Sequence, residues 1–281
     1  MHTGFLLLTL GLAWLIRARA TGAGTDWRDR WHAALQSFVL PPLLLIMTAI
    51  ATLCMGTQGQ MIGIPVGWIG YSVAIAFLGW AALSLVWFAV QAGRTLRQLP
   101  IQESVTVYGR LGYVVELPTL FAAQIGLWTS RLVVSRHLLD TLSPEQTEAV
   151  LHHEDAHAHY RDPFWFFWLG WIRHLTHWLP QTEALWQELL LLRELRADQW
   201  AAQQVDPLVL AEALLAVVSA PAIALPDYGA AFGAIAPSQL LEERVNALLS
   251  SPPSGSCALS AQSWLWLLWA LLPLALTGLH S

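Results

Sequence analysis

Between residues 33 and 93 the chain contains no Asp, Glu, Lys or Arg. So long a charge-free stretch cannot face water on all sides. It is broken at Gly56-Thr57-Gln58-Gly59-Gln60, and the polar break runs on to Pro65. The pattern predicts a helical hairpin, with one arm over residues 35–55 and the other over 66–90. Each arm has the roughly 20 residues that carry a helix across a bilayer. Pro41 and Pro42 then fall in the first turns of the first arm, where proline is best tolerated.

Composition agrees with a membrane location. The chain is 56% hydrophobic and 12% charged, against roughly 25% charged for a soluble domain. Shorter apolar runs at 5–16 and 263–277 read as further spans, and no charged side chain follows Arg244. The expected organisation is a membrane region of about three transmembrane helices over 1–90, a domain over 91–262, and a C-terminal transmembrane helix over 263–281. The N-terminus lacks a basic n-region and a clear small-residue cleavage site, so its apolar run reads as a retained anchor. All 14 basic residues are Arg. Arg17, Arg19, Arg28 and Arg30 crowd the loop between the first two spans, the 56–65 turn has none, and Arg94, Arg97 and Arg110 follow the third span. Positive charge marks the cytoplasmic side. Residues 17–33 and 91–262 are therefore expected in the cytoplasm and the N-terminus outside, in the inner (plasma) membrane.

Some function classes are disfavoured. A net charge of -5 offers no nucleic-acid surface. The spans carry almost no charge to mark a transport path. Cys54 and Cys257 fall on opposite sides of the expected membrane and form no disulfide framework; Cys54 reads as a small buried hydrophobe.

The chemistry lies in 91–262. Short runs at 105–108, 113–117, 124–128 and 132–135 are rich in β-branched or aromatic residues and read as a small sheet. Ser143-Pro144-Glu145-Gln146 is a capping box with proline at the first helical position. It launches a helix expected to run through Tyr160. That helix carries His153-Glu154-Asp155-Ala156-His157. Histidines four apart share one helix face, the spacing that grips a single zinc ion. Further on, Glu194-Leu195-Arg196-Ala197-Asp198 can supply a third ligand, Glu194, and a residue one turn later, Asp198, that steers a histidine ring. Glu154 lies about 100° round the helix from His153. There it is placed to take a proton from water that zinc acidifies and to pass it to a leaving nitrogen.

Blander readings stand beside these. Glu194 and Asp198, with Arg193 and Arg196, also suit the solvated face of a charged helix. His152 and His159 lie seven apart on another face and are not expected to bind a second metal. Asp155 reads as a helix-surface residue and Asp162 as a cap only. His159, Tyr160, His174, His177 and Arg196 are all open candidates for stabilising an oxyanion. The aromatic segment 164–179 is nearly long enough to span, but crossing would part the histidines from Glu194. It reads as a helix lying at the membrane interface, with a core helix as the alternative.

His153-Glu154-x-x-His157, Arg161-Asp162-Pro163 and Glu194-x-x-Ala197-Asp198 resemble the membrane-embedded gluzincin peptidases. Two groups share the pattern: the heat-shock and prenyl-protein-processing membrane proteases, and the antirepressor peptidases of the BlaR/MecR type. The compact gap from His157 to Glu194 containing Trp178-Leu179-Pro180, and the string Leu241-Glu242-Glu243-Arg244-Val245, look more like the second group. The resemblance implies an α-helical membrane protein with an α+β minimal gluzincin domain, made of a small sheet plus the two motif helices. It implies one Zn2+ held by His153, His157 and Glu194, Glu154 as catalytic base, and Asp198 as orienter of His153. It also implies that an edge strand near 124–128 binds the substrate backbone. The substrates implied are a transcriptional repressor or misfolded membrane proteins, beside the lipid bilayer as partner. The chain ends just after its last expected span, with no penicillin-binding domain, so β-lactam sensing is not expected. The competing reading from another class is a membrane scaffold or sensor that keeps zinc without catalysis.

Overall fold

In chain order the elements are helices α1 (Gly4–Ala18) and α2 (Trp27–Met55), strands β1 (Gln60–Met61) and β2 (Ile64–Pro65), helix α3 (Gly67–Gln98), and strands β3 (Ile101–Val107), β4 (Arg110–Val115), β5 (Ala122–Ile125) and β6 (Arg131–Ser135). Helices α4 (Arg136–Thr141), α5 (Pro144–His159), α6 (Asp162–Leu175), α7 (Thr182–Ala201), α8 (Pro207–Ser219), α9 (Leu241–Leu249), α10 (Leu267–Ala270) and α11 (Leu272–Thr277) follow. The structure, a computed structural model, describes residues 4–19, 27–57, 60–61, 64–65, 67–98, 101–219, 241–250 and 265–277. The chain divides into two units, one of residues 1–88, 171–189 and 256–281, the other of 89–170 and 190–255. Cys257 lies outside the described residues.

In the first unit the charge-free stretch forms α2 and α3, turning through Gly56 at φ 72° and the paired strands β1 and β2. Both helices are long and apolar enough to cross a membrane. They overrun the expected arms, because apolar composition marks what suits lipid and not where helical hydrogen bonding stops. At the start of α2, Arg30 donates to Glu188 at 2.7 Å and extends the helix into polar sequence. Pro41 and Pro42 are consequently inside α2 and not in its first turns. Proline has no N–H for the carbonyl four residues back, so Pro42 leaves the Phe38 carbonyl open. Arg17, fully buried, fills that vacancy with a 2.8 Å hydrogen bond and reaches Thr182 Oγ1 at 3.0 Å.

Helices α1, α10 and α11 pack on α2, with Leu40, Leu44 and Ala270 at the contact. Helix α1 has 15 residues. The expected last span is two short helices; Pro273 at the second position of α11 lacks the N–H that would carry α10 onward. Cys54, expected to be buried, is exposed. The buried face of α2 runs through Leu44, Thr48, Ala51 and Thr52, and Cys54 is turned away from it. Along α3, Trp68, Ile69, Leu83 and Val86 are largely exposed, an apolar surface that suits lipid.

The second unit holds a mixed four-stranded sheet in the order β3-β4-β6-β5. The β3–β4 hairpin turns on Tyr108 (φ 49°) and Gly109 (φ 79°) between the paired Val107 and Arg110. Two positive φ values make this a type I′ turn, whose twist matches the strands, so Tyr108 belongs to the turn and not to a strand. β4 pairs parallel with β6, and β5 pairs antiparallel with β6. β5 is an edge strand, as expected near 124, though it ends at Ile125 and leaves Trp128 beyond it. Val107, Leu132, Val134, Leu138, Val150, Leu151 and Ala213 form one core. Helix α6 begins in the second unit, where it buries Phe166, Phe167 and Leu169 while Trp165 stays exposed, and ends in the first, where Ile172 and Leu175 are buried. At 14 residues α6 falls short of a span.

Candidate metal centre

Helix α5 starts where the capping box puts it. Ser143 Oγ accepts from the Gln146 N–H and Gln146 Oε1 accepts from the Ser143 N–H, both at 3.2 Å, with Pro144 at the first helical position. The face carrying Ala149, His153, Ala156 and His157 is buried. Asp155, on the neighbouring face, is half-buried and accepts from Arg110 Nε at 2.6 Å, so it is an ion-pair partner of β4 and not a free surface residue. Helix α7 supplies Glu194 and Asp198. The solvated-face reading of α7 does not describe it: Arg193, Glu194 and Asp198 are each no more than 5% exposed.

The structure brings His153, His157 and Glu194 into one buried cluster that could hold a metal ion. The two Nε2 atoms are 3.1 Å apart. Glu194 Oε2 is 3.2 Å from His153 Nε2, and Glu194 Oε1 is 3.7 Å from His157 Nε2. A tetrahedral ion with bonds of about 2.0–2.2 Å sets its donors roughly 3.3–3.6 Å apart, close to the observed spacing. The remaining ring nitrogens fit too. His157 Nδ1 lies 2.8 Å from Asp162 Oδ2 in a hydrogen bond. His153 Nδ1 lies 2.8 Å from Asp198 Oδ1, at ion-pair distance but without hydrogen-bond alignment. Each carboxylate favours the proton on its Nδ1, which leaves each Nε2 lone pair aimed at the other. Two facing lone pairs repel unless a cation lies between them.

The charges around the cluster are matched. Burial favours neutral Glu194, but Arg193 and Arg244 outweigh it and hold the carboxyl well below its usual range. Burial likewise opposes charge on Asp198, and Arg244 overrides it. Arg193 donates to Glu194 Oε1 at 2.7 Å with its guanidinium over the Phe166 ring. Arg244 of α9 donates to both Asp198 oxygens, at 2.7 and 2.8 Å, and its Nη1 is 3.3 Å from Glu194 Oε2. Glu154 differs from these. Its Oε2 is buried with no hydrogen-bond partner. Burial pushes its carboxyl up, against the pull of His157 and His153.

His153 couples the centre to pH. Burial disfavours its charge, but Asp198 and Glu194 outweigh burial and raise the imidazole from 6.5 to about 9. In the metal-free protein at pH 7 a proton therefore takes the cation's place. It must leave before a metal cation enters, so affinity for added zinc, used as a probe, should rise with pH and level off above about 9. Calorimetric titration of zinc at pH 7, in buffers of different ionisation enthalpy, should show about one proton released per zinc. Uptake with no buffer dependence would contradict this assignment.

Sequence reasoning missed three residues. Asp162, read as a cap only, orients His157 and is itself held by Arg196. Arg193 and Arg244 were not singled out for the centre, though both are arginines on otherwise apolar helix faces, which was the available signal. The open oxyanion candidates separate. Arg196 is engaged by Asp162 and stacks over Tyr160 at 4.1 Å. His159 is exposed and stacked on Trp200. His174 and His177 belong to the first unit. His152 contacts Arg110 Nη2 through Nδ1 at 3.2 Å, away from the metal face. The chain matches no protein-family model and no curated protein, so the reading of the centre rests on its own residues.

Proposed function

We propose that the protein is an integral-membrane zinc endopeptidase, with residues 91–262 on the cytoplasmic side of the plasma membrane, acting on cytoplasmic or membrane-proximal protein segments. The observation that carries this reading is the pair of Nε2 atoms facing each other beside Glu194, with the buried, unpartnered Oε2 of the neighbouring Glu154. His153, His157 and Glu194 would hold the ion, and two imidazoles with a carboxylate suit zinc. When bound, zinc supplies Lewis acidity to a scissile carbonyl and acidity to a water. Glu154 takes the proton of the attacking water and later returns it to the leaving amine nitrogen. A carboxyl raised by burial holds that proton between the two steps. Asp198 and Asp162 fix the two rings, and Arg244 and Arg196 fix those carboxylates. Three protein ligands favour catalysis over scaffolding, because structural zinc sites are closed by four.

The membrane assignment is supported by the two long apolar helices and the exposed apolar surface of α3. A repressor or a misfolded membrane protein fits such a site equally well as substrate. Stripping metal from the detergent-purified full chain with a chelator should abolish cleavage of an unfolded reporter protein, and one equivalent of zinc should restore it. Cleavage that persists without metal would contradict the proposal.

A further inference from the structure

Beside the metal centre lies a cavity of about 110 Å³, lined by Gly126, Trp128, Ala158, Arg161, Pro163 and Phe164 among others. Ala158 directly follows His157, and Pro163 directly follows Asp162, so the cavity shares backbone with the centre. Its outer wall is built by a tight loop leaving edge strand β5. Gly126 has φ 128°, and a Cβ there would meet the Thr129 carbonyl oxygen at 2.3 Å, so only glycine lets the loop fold back this way. The loop then sets the Trp128 ring 5.4 Å from the Phe164 ring of α6. Trp128 is 75% exposed, an indole left on the surface at the mouth of a pocket.

Arg161 sits in the same lining. It is exposed and holds φ 55°, a conformation that side-chain-bearing residues adopt at a cost. Among the described residues its guanidinium makes no ion pair or hydrogen bond. Arg110, Arg193, Arg196 and Arg244, elsewhere in the unit, are each paired with a carboxylate. A cation with no partner among the described residues, beside apolar walls, complements a carboxylate on an aliphatic stem. The volume of about 110 Å³ leaves room for such a side chain.

We infer that this cavity is a specificity subsite for an acidic side chain of an extended peptide lying along the edge strand β5, with Arg161 as the selecting residue. The inference rests on the endopeptidase reading. Strand addition would supply sequence-independent backbone hydrogen bonds, and the Arg161 pocket would supply the choice of side chain.

Binding and cleavage are tested separately. Zinc-loaded full-length Glu154→Gln protein in detergent is titrated with labelled extended peptides that carry Glu, Gln or Lys at one position in an otherwise constant, uncharged sequence. The position is moved along the peptide in turn. At one position Glu should bind about fivefold more tightly than Lys, the upper range for a solvent-exposed ion pair, with Gln between. Arg161→Glu in the same background should reverse the order, and Arg161→Gly, which relieves the backbone while removing the charge, should flatten it. In the active protein kcat/KM should follow the same order. Equal affinity for the three peptides at every position, no peptide binding, or an order unchanged by Arg161→Glu would each overturn the inference. A charge-selective binder that never cleaves would leave the subsite standing and sink the endopeptidase reading instead.

Discussion

Glu154→Gln should abolish proteolysis while leaving one zinc per chain. The change is isosteric and removes only the ability to accept a proton. Positioned acid–base groups contribute about 10²–10⁴-fold to rate, and Glu154 is assigned both proton transfers, so the fall in kcat should lie toward the upper end. Zinc content should not change, because the metal-facing atoms belong to His153, His157 and Glu194. Folding should also survive. The amide fills the same volume, and burial already works against charge at this position. The measurement is paired metal analysis and cleavage of an unfolded substrate by the wild type and the variant. Retained cleavage in Glu154→Gln would remove the proton-transfer mechanism; loss of zinc would mean that Glu154 is a ligand and that the ligand set is wrong.

Arg244→Ala should be the most destabilising single change around the centre. Arg244 is 5% exposed and bridges Asp198 and Glu194. Removing one partner from a buried ionic network leaves uncompensated charge and costs roughly 3–5 kcal/mol. It would also release Asp198 from its hold on His153, and loss of such a supporting contact typically lowers metal affinity about 10–100-fold. Arg244→Lys separates charge from geometry. Lys keeps the charge but not the two-pronged fork, so it should recover much of the stability and little of the zinc affinity. Thermal unfolding with and without zinc, together with a competitive zinc titration, reads both quantities. Equal stability of all three proteins would show that Arg244 is not the counter-charge of the site.

The cluster of His153, His157 and Glu194 was legible because its information is local. A four-residue histidine spacing on a capped helix needs no tertiary knowledge, and the distant Glu194-x-x-Ala197-Asp198 string repeats the one-turn logic. The supporting arginines were not legible in the same way. Arg244 lies on the same face as buried Leu248, and Arg193 follows four leucines. Only the fold says that such a position faces carboxylates and not solvent. Asp162 opens α6, the position that suggested a cap, but its carboxylate is turned to His157 and Arg196, which the sequence does not show.

The membrane helices divide similarly. Absence of charge located α2 and α3, but the helix starts depended on polar contacts such as Arg30 with Glu188, which placed Pro41 and Pro42 inside α2. Arg17, read only as a marker of orientation, closes the gap that Pro42 opens, an exchange between residues too far apart for any local pattern to show.

The first measurement to make is zinc stoichiometry with zinc K-edge absorption on the detergent-purified full chain. One zinc per chain is expected, in a shell of nitrogen and oxygen only, with the multiple-scattering signature of two imidazoles and bonds near about 2.0–2.2 Å. Substoichiometric metal, or a shell containing sulfur, would contradict a centre built from His153, His157 and Glu194.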